Sequence, residues 1–235
     1  MTPIFRKKPK EKKPRTVSVF REYFELITET LIYVFFVMTF LLQSFVIPSG
    51  SMEDTLLIGD HLFVDKVAYS RSLGPIDRFL FPQRRIERGM IVTFKAPPDM
   101  EKEYVKRVIG LPGETIAIID KQVYINGKPI AEPYVFFKDS EVSPGIRDNF
   151  PVFRIPADHY FCMGDNRDNS YDCRFWGPVP ADYIIGRPWR IYWSYTSTTS
   201  EYLTPGIAHK IKDIFVTILN FFTKTRWGRT LKKIY

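Results

Sequence analysis

Apolar and polar positions divide the 235-residue chain into a polar start, one long apolar run, a series of short alternating stretches and a mixed C-terminal segment. The apolar run at residues 31–47 contains no charged side chain, and the mixed helical stretch at 20–30 lengthens it enough to cross a bilayer. We therefore predict a transmembrane helix at residues 23–47. The alternatives are a cleaved secretory signal, which Pro48 and the length of the run disfavour, and a buried helix of a soluble core.

After the apolar run, short apolar stretches are bounded by turn residues, which is typical of β-strands. The stretches that we interpret as strands lie at residues 60–69, 90–94, 104–109, 114–119, 122–125, 159–163 and 183–192. Asn126 and Gly127 are expected to form a tight turn that leads back through residues 128–130. Residues 70–88 show no sustained period and are expected to be a surface loop, whereas the irregular, proline-containing residues 131–157 are expected to be an edge ribbon or an exposed loop. The pattern therefore predicts a mainly β fold for this part of the chain.

Residues 205–235 are predicted to form an amphipathic, basic helical segment. Its apolar face holds Ile211, Ile214, Phe215, Ile218, Leu219 and Phe222, and its basic residues include Lys210, Lys212, Lys224 and Arg226. We expect this segment to lie on the bilayer surface, with packing on the domain and a second crossing as the alternatives. The predicted organisation is therefore a basic tail at 1–22, the transmembrane helix at 23–47, the β-rich domain at 48–204 and this segment.

The net charge of +8 is concentrated in the N-terminal tail. This distribution indicates a basic tail instead of a basic groove, so we expect no nucleic-acid partner. By the positive-inside rule the tail lies in the cytoplasm, and everything after residue 47 lies on the outer side of the membrane.

The two cysteines, Cys162 and Cys173, fit an exported domain, in which a pair can be oxidised. The residues alone leave open whether they form a disulfide, because this depends on how closely their backbones approach. Their separation has no metal-site pattern. The acidic residues at 164–174 do not follow the ligand pattern of a calcium loop, so no metal and no other cofactor is expected.

Ser51 lies in the stretch PSGSM at residues 48–52, directly after the apolar run. Pro48 fixes a turn and Gly50 lets the backbone approach closely, which makes Ser51 a candidate nucleophile near the membrane surface. An ordinary turn with a hydrogen-bonded serine is the alternative, and these few residues by themselves favour it.

Lys106 lies in an apolar predicted strand, on the face that it shares with Tyr104 and Val108. A buried ammonium loses its hydration, which lowers its pKa from about 10.4 and allows it to act as a base. The alternative is a side chain that reaches solvent with its charged end, and without a partner for Lys106 this alternative is favoured.

A dense polar stretch, GDNRDNSYDCR at residues 164–174, follows a predicted strand and precedes Trp176. We expect its side chains to hydrogen-bond with one another. The chain has three histidines, His61, His159 and His209, and each fits an ordinary strand or surface position. A Ser-His-Asp triad is therefore not favoured.

Four blocks of this sequence resemble the bacterial type I signal peptidases. They are PSGSM at 48–52, GDHLFVDK at 59–66, YVKRVIGLPGE at 104–114 and GDNRDNSYDCRFWGPVP at 164–180. The resemblance covers about residues 25–195, and it reverses the preferences given above for Ser51 and Lys106. It implies a domain of antiparallel β-sheets with a reduced second subdomain at about 115–158. Cys173 stands where serine is common, which strengthens the case for a Cys162–Cys173 bridge.

The resemblance implies a membrane-bound serine endopeptidase that removes signal peptides from exported preproteins after an Ala-x-Ala type site, through an acyl-enzyme. Ser51 matches the nucleophile and Lys106 the general base. The Ser49 hydroxyl and the Ser51 backbone N–H match the oxyanion hole. The matched supporting residues are Ser170, which would orient the lysine, the ion pair of Asp172 and Arg174, and Gly164 beside the lysine. The matched walls of the substrate pockets are Phe45, Ile47, Leu56 and Val105.

The implied location is the bacterial cytoplasmic membrane, crossed once, with the catalytic domain on the outer side. The implied partners are signal peptides and membrane lipid, and a monomer is the working expectation. One alternative is a related membrane-tethered protease with a narrow substrate range, which would keep the same pair of residues. The other is a non-catalytic membrane-anchored binding domain, which would not need Ser51, Lys106 and Ser170 together.

Overall fold

The structure, a computed structural model, describes residues 18–69, 84–97, 99–198 and 207–234. Most of the predicted basic tail and most of the predicted loop at 70–88 lie outside the described residues. The chain divides into two units, residues 1–37 and residues 38–235.

The N-terminal unit contains helix α1, Val19–Phe36, on which every side chain is exposed. A π-helical turn at Val37–Leu41 continues it, so that an apolar helix of 23 residues covers Val19–Leu41. This length is sufficient to cross a bilayer, and exposed apolar side chains are what a lipid environment requires.

The helix begins and ends earlier than the predicted span of 23–47. It ends at Leu41, and the next residues, Leu42–Val46, form strand β1. β1 pairs antiparallel with residues 61–65 of the following strand, so its backbone groups find partners that are distant in the sequence. Apolar composition alone does not reveal such a partner, which is why the prediction extended the helix through this strand.

In its described residues the second unit contains eleven strands. They are β1 (Leu42–Val46), β2 (Asp60–Asp65), β3 (Ile91–Ala96), β4 (Asp99–Gly110), β5 (Thr115–Ile119), β6 (Gln122–Ile125), β7 (Lys128–Pro129), β8 (Phe150–Arg154), β9 (His159–Met163), β10 (Val179–Pro180) and β11 (Ile184–Ser194). Seven strands form one sheet in the order β1-β2-β11-β3-β4-β9-β10, and four form another in the order β7-β6-β5-β8. The pairings in both sheets are antiparallel, so the predicted mainly β fold is confirmed.

The smaller sheet lies within the stretch expected to be a second subdomain. The predicted tight turn between β6 and β7 is confirmed, because Asn126 and Gly127 both have positive φ, 51° and 76°, as a two-residue hairpin requires. Strand β8 lies at the edge of this sheet, which agrees with the expectation of an edge ribbon for this part of residues 131–157. It forms because Phe153 lies opposite Ile116 of β5 and because Phe150 packs edge-on against Phe161.

The C-terminal segment contains helices α3, Ile207–Leu219, and α4, Phe221–Lys224. A shorter helix, α2, precedes them at Cys173–Trp176. The apolar face of α3 is exposed, with Phe215 and Ile218 about 65% accessible. The residues after α4 instead pack on the domain, where Ile234 is buried. The residues after α4 therefore follow the alternative of packing on the domain, whereas for α3 a place on the bilayer surface stays a prediction.

Candidate active site

Ser51 and Lys106 are in direct contact. Lys106 lies on β4 and Ser51 on a 3₁₀ turn at Gly50–Met52, and the Lys106 Nζ is 2.5 Å from the Ser51 Oγ. Lys106 is 2% exposed and Ser51 9% exposed. The alternative in which the lysine reaches solvent is therefore wrong, and the two residues form a buried pair.

Burial sets the protonation of Lys106. The loss of hydration lowers the pKa of Lys106 from 10.5 to about 8, although the carboxylates of Asp172 and Asp165 act in the opposite direction. At pH 7 about a tenth of the amines are then neutral, which is far more than for a lysine in water. A neutral amine can accept the proton of the hydroxyl that it touches.

Both faces of β4 are covered, which explains why consecutive residues of this strand are buried. The strand lies between β3 and β9, and the Lys106 Nζ lies 5.5 Å from the centre of the Tyr104 ring. Arg107 points to the other face, where it donates twice to Asp165, from Nε at 2.8 Å and from Nη2 at 2.6 Å. Its guanidinium also lies 4.0 Å from the centre of the Tyr134 ring. The charge of Asp165 is thus balanced by Arg107.

Gly164 lies between the Ser51 backbone and the Ser170 side chain. A Cβ atom at this position would be 2.4 Å from the Ser51 carbonyl oxygen and 2.3 Å from the Ser170 Oγ. Both separations are far below van der Waals contact, so the site accepts no side chain here. The family resemblance implies a small residue beside Lys106 at this position, and the structure shows it packed between Ser51 and Ser170.

Asp172 and Arg174 form a buried, bidentate ion pair. The Nε and Nη2 atoms of Arg174 are each 2.9 Å from a carboxylate oxygen of Asp172. Burial alone would raise the pKa of Asp172, but the adjacent Arg174 guanidinium outweighs it and holds that pKa below its usual range. Asp172 also accepts the Gly164 backbone N–H at 3.0 Å, which links the pair to the glycine beside Ser51.

Ser170 does not make the contact that the sequence led us to expect. Its hydroxyl is buried and lies near enough to Asp172 to help lower the pKa of that carboxyl. Among the residues that the structure describes, however, the Ser170 Oγ meets no partner at full hydrogen-bond geometry, and it does not bond to Lys106. Its close packing against Gly164 fixes its position instead.

A cavity of about 400 Å³ opens beside Ser51 and Lys106. The predicted residues that line it are Phe45, Ile47, Ser49, Ser51, Val105 and Lys106. Leu56 is not among the lining residues, and its fully buried side chain packs in an apolar cluster with Ile47 and Met52. Sequence reasoning missed the lining residues Pro48, Met52, Lys102, Glu103 and Tyr104. The alternation along β4, which puts Tyr104 on the same face as Lys106, was the signal available for one of them.

The polar loop at residues 164–174 holds the turn that carries Ser51. The Asn166 backbone N–H donates to the Ser51 carbonyl at 3.2 Å, and the Asn166 side-chain amide donates to the Gly50 carbonyl at 3.1 Å. The Thr55 hydroxyl donates to Asp165 at 2.6 Å. The expectation that this loop is a hydrogen-bonded structure is confirmed, and its partner is the Ser51 turn.

Two further details lie near the site. Asp54 has a φ of 40°, in the left-handed region, which aspartate tolerates better than most residues. Cys162 and Cys173 are free, buried thiols, and the Cys162 backbone N–H donates to the Cys173 Sγ at 3.0 Å. Burial raises the pKa of the Cys173 thiol.

A family model described as "Signal peptidase, peptidase S26" matches residues 20–193. This chain belongs to the signal peptidase family. The resemblance to signal peptidases is therefore confirmed, and membership makes the chain a peptidase, a hydrolase of peptide bonds.

Similar proteins extend this comparison. A signal peptidase I from Rickettsia typhi is 32% identical over 94% of this chain and 96% of its own length. One from Pseudomonas aeruginosa is 33% identical over 84% of this chain and 81% of its own. A crystal structure of a signal peptidase I from Enterococcus faecalis aligns with 44% of this chain and 97% of its own, at 30% identity and a TM-score of 0.37.

Membership in the signal peptidase family fits the N-terminal helix. Val19–Leu41 is the helix, among the described residues, that is long and apolar enough to cross a membrane. The helix and the family together fit a membrane-anchored peptidase whose Ser51 turn follows shortly after the helix in the chain.

Proposed function

We propose that this signal peptidase removes N-terminal signal peptides from exported preproteins with Ser51 as nucleophile and Lys106 as general base. The observation that carries the proposal is the 2.5 Å contact between a buried lysine amine and a serine hydroxyl. Each of these groups is an unreactive side chain in water. A lowered amine pKa and a direct contact are what convert the pair into a base and an activated hydroxyl.

The reaction begins with a neutral Lys106. Its amine takes the proton of the Ser51 hydroxyl while the Ser51 Oγ attacks the carbonyl carbon of the scissile peptide bond, which forms a tetrahedral intermediate. The resulting Lys106 ammonium gives the proton to the departing amine, and the peptide bond breaks to leave an acyl-enzyme on Ser51. Lys106, neutral again, takes a proton from a water molecule that attacks the ester carbonyl, and it gives this proton to the Ser51 Oγ as the ester bond breaks.

The negative oxygen of the tetrahedral intermediate needs hydrogen-bond donors. We assign this role to the Ser51 backbone N–H and the Ser49 hydroxyl. Ser49 has an extended backbone, with φ −137° and ψ 157°, and it lines the cavity beside the nucleophile. Its hydroxyl is exposed and not committed to capping the 3₁₀ turn that follows, so it can turn towards the oxyanion.

The cavity supports a preference for small apolar side chains before the cleavage site, of the Ala-x-Ala type. Its apolar wall is formed by Phe45, Ile47 and Val105, which would exclude charged groups. Val105 is on the same strand as Lys106, so a substrate in extended form beside β4 would place alternate side chains against this wall.

The proposed location is the bacterial cytoplasmic membrane, with the basic N-terminus in the cytoplasm and the catalytic domain on the outer side. The basic residues before the helix support this orientation. We assign the exposed apolar face of α3 to contact with lipid, because Phe215, Ile218 and Leu219 are exposed on it. Signal peptides emerge at the same surface, and confinement there raises the effective concentration of substrate.

The test is cleavage of a preprotein in detergent by the full chain and its Ser51→Ala and Lys106→Ala variants. Each substitution is expected to reduce turnover by about 10³-fold or more. Lys95→Ala, an exposed lysine on β3, serves as the matched control and should cleave normally. Normal turnover by folded Lys106→Ala would reject the proposed base, and normal turnover by Ser51→Ala would reject the nucleophile. Cleavage of only a narrow subset of preproteins would favour the alternative of a specialised processing protease.

A further inference from the structure

The loop that carries Ser51 is closed at its base by two backbone hydrogen bonds. The Ile47 N–H donates to the Asp60 carbonyl and the Gly59 N–H donates to the Ile47 carbonyl, each at 2.9 Å. On one side the loop is held by Asn166, as described above. On the other side it contacts residues 224–234, which we call the C-terminal strap.

The strap is docked on β11 by main-chain hydrogen bonds. The Ile191 N–H donates to the Lys232 carbonyl at 2.9 Å, and the Ile234 N–H donates to the Trp189 carbonyl at 3.2 Å. Ile234 is 6% exposed and belongs to the same apolar cluster as Met52, the neighbour of Ser51. The strap is therefore part of the folded domain and lies against the core beneath the Ser51 loop.

At the base of that loop, Asp60 has a fully buried carboxylate. Arg229 of the strap donates to it from Nη2 at 2.5 Å, and the Ser194 hydroxyl donates at 2.6 Å. The Leu57 backbone N–H donates to the same carboxylate at 2.9 Å. Burying a carboxylate without a cation beside it costs free energy. The strap supplies this cation, and Asp60 can then stay buried and accept the Leu57 N–H of the turn.

Arginines of the strap also bind the returning limb of the loop directly. The Arg229 Nη2 donates to the Thr55 carbonyl at 3.0 Å, and the Arg226 Nη2 donates to the Ile58 carbonyl at 2.5 Å. One guanidinium at Arg229 thus holds both the base of the loop, at Asp60, and a point four residues after Ser51. A second nitrogen of the same side chain, the Arg229 Nε, also donates to Asp60 at 3.3 Å, and a lysine with its single nitrogen cannot reproduce these two donors.

We propose that Arg229 is a positioning residue of this peptidase, which holds the Ser51 loop from the C-terminal strap so that the serine hydroxyl stays on the Lys106 amine. The inference rests on the roles proposed for Ser51 and Lys106. It goes beyond them because the strap lies after residues 20–193, the part of the chain that matches the family model. A displacement of the nucleophile by about 1 Å is enough to cost about 100-fold in rate.

The test measures kcat, KM and the pH dependence of cleavage for the full chain in detergent. We expect Arg229→Ala to lose about 30-fold in kcat with KM within about twofold, since the substrate cavity is not touched. The midpoint of its pH profile should move upward, because a loosened loop admits water to Lys106.

Arg229→Lys should lose about fivefold in kcat, because a lysine keeps the positive charge but has one donor nitrogen instead of two. The matched control is Lys233→Ala, an exposed residue of the strap, which should behave as the wild type.

The inference is overturned if folded Arg229→Ala and Arg229→Lys both keep the wild-type kcat and pH midpoint, even at a lower melting temperature. Arg229 would then only stabilise the fold. If Arg229→Ala does not fold, Arg229→Lys decides by the same two measurements. Ser51→Ala and Lys106→Ala, assayed alongside, separate the two proposals. If Ser51→Ala and Lys106→Ala lose turnover while both Arg229 variants behave as the wild type, only the role of Arg229 is rejected. If Ser51→Ala and Lys106→Ala keep normal turnover, the roles proposed for Ser51 and Lys106 are rejected.

Discussion

The backbones of Gly164 and Ser51 approach so closely that a Cβ atom on Gly164 would lie 2.4 Å from the Ser51 carbonyl oxygen. The same position would be 2.3 Å from the Ser170 Oγ. Because one neighbour is backbone, the contact cannot be relieved by the rotation of a side chain. The polar loop and the Ser51 turn can therefore pack this closely only because residue 164 is a glycine.

Gly164→Ala is expected to displace the Ser51 turn from Lys106. We predict a loss of about 100-fold in kcat and a loss of about 1 to 3 kcal/mol in stability from overpacking. The measurements are preprotein cleavage and thermal unfolding in detergent. Gly145→Ala is the control, since a Cβ there meets its nearest atom at an ordinary 3.6 Å. Wild-type kcat in Gly164→Ala would contradict the tight fit.

The pH dependence of cleavage should report Lys106. The amine must be neutral to accept the Ser51 proton, so kcat/KM is expected to rise with pH and to level off above a midpoint near the pKa of about 8. The measurement is kcat/KM between about pH 6 and 10 on one preprotein. A profile that is flat between pH 7 and 9 would show that an uncharged Lys106 is not required.

Stability should depend on pH through the same lysine. Its folded pKa of about 8 lies below its ordinary value of 10.5, so between these two pH values the unfolded chain binds more protons and stability rises with pH. Below pH 8 both states are protonated, and burial of the ammonium costs about 3 kcal/mol.

Lys106→Met removes this cost with a side chain of similar length. We expect this substitution to raise the midpoint temperature of unfolding at pH 7. It should also abolish the rise of stability with pH that Lys106 causes between about pH 8 and 10. Ser51→Ala, which keeps the lysine, is the control and should keep the wild-type pH dependence. An unchanged midpoint at pH 7 in Lys106→Met would mean that Lys106 is not desolvated.

The apolar face of α3 should lie in lipid. In proteoliposomes made with brominated lipid, the double variant Phe215→Glu, Ile218→Glu is expected to show less quenching of tryptophan fluorescence, because Trp227 lies near α3 in the chain and stacks on Phe222. The matched control is Ile119→Glu, Val152→Glu, which changes two exposed apolar residues of the smaller sheet. Equal quenching in the wild type and both double variants would refute the lipid contact.

Local sequence patterns determined much of the fold. The hairpin at Asn126 and Gly127 follows from their tolerance of positive φ, and strands β4, β6 and β9 follow from apolar runs between turn residues. The apolar helix was also predictable, but its end was not. Strand β1 exists because β2 supplies its hydrogen bonds, and a pairing of that kind is not encoded in the run itself.

The residues of the candidate site divide in the same way. Sequence alone placed Ser51 in a turn and Lys106 in an apolar strand, and the family resemblance joined them. Only the tertiary structure decided that their side chains touch, that Leu56 lies in the core instead of the cavity, and that Arg229 reaches the Ser51 loop. The physical reason is that a turn or a strand is fixed by a few consecutive residues. A contact, a buried charge and a lowered pKa depend on which distant segments close around a side chain and exclude water from it.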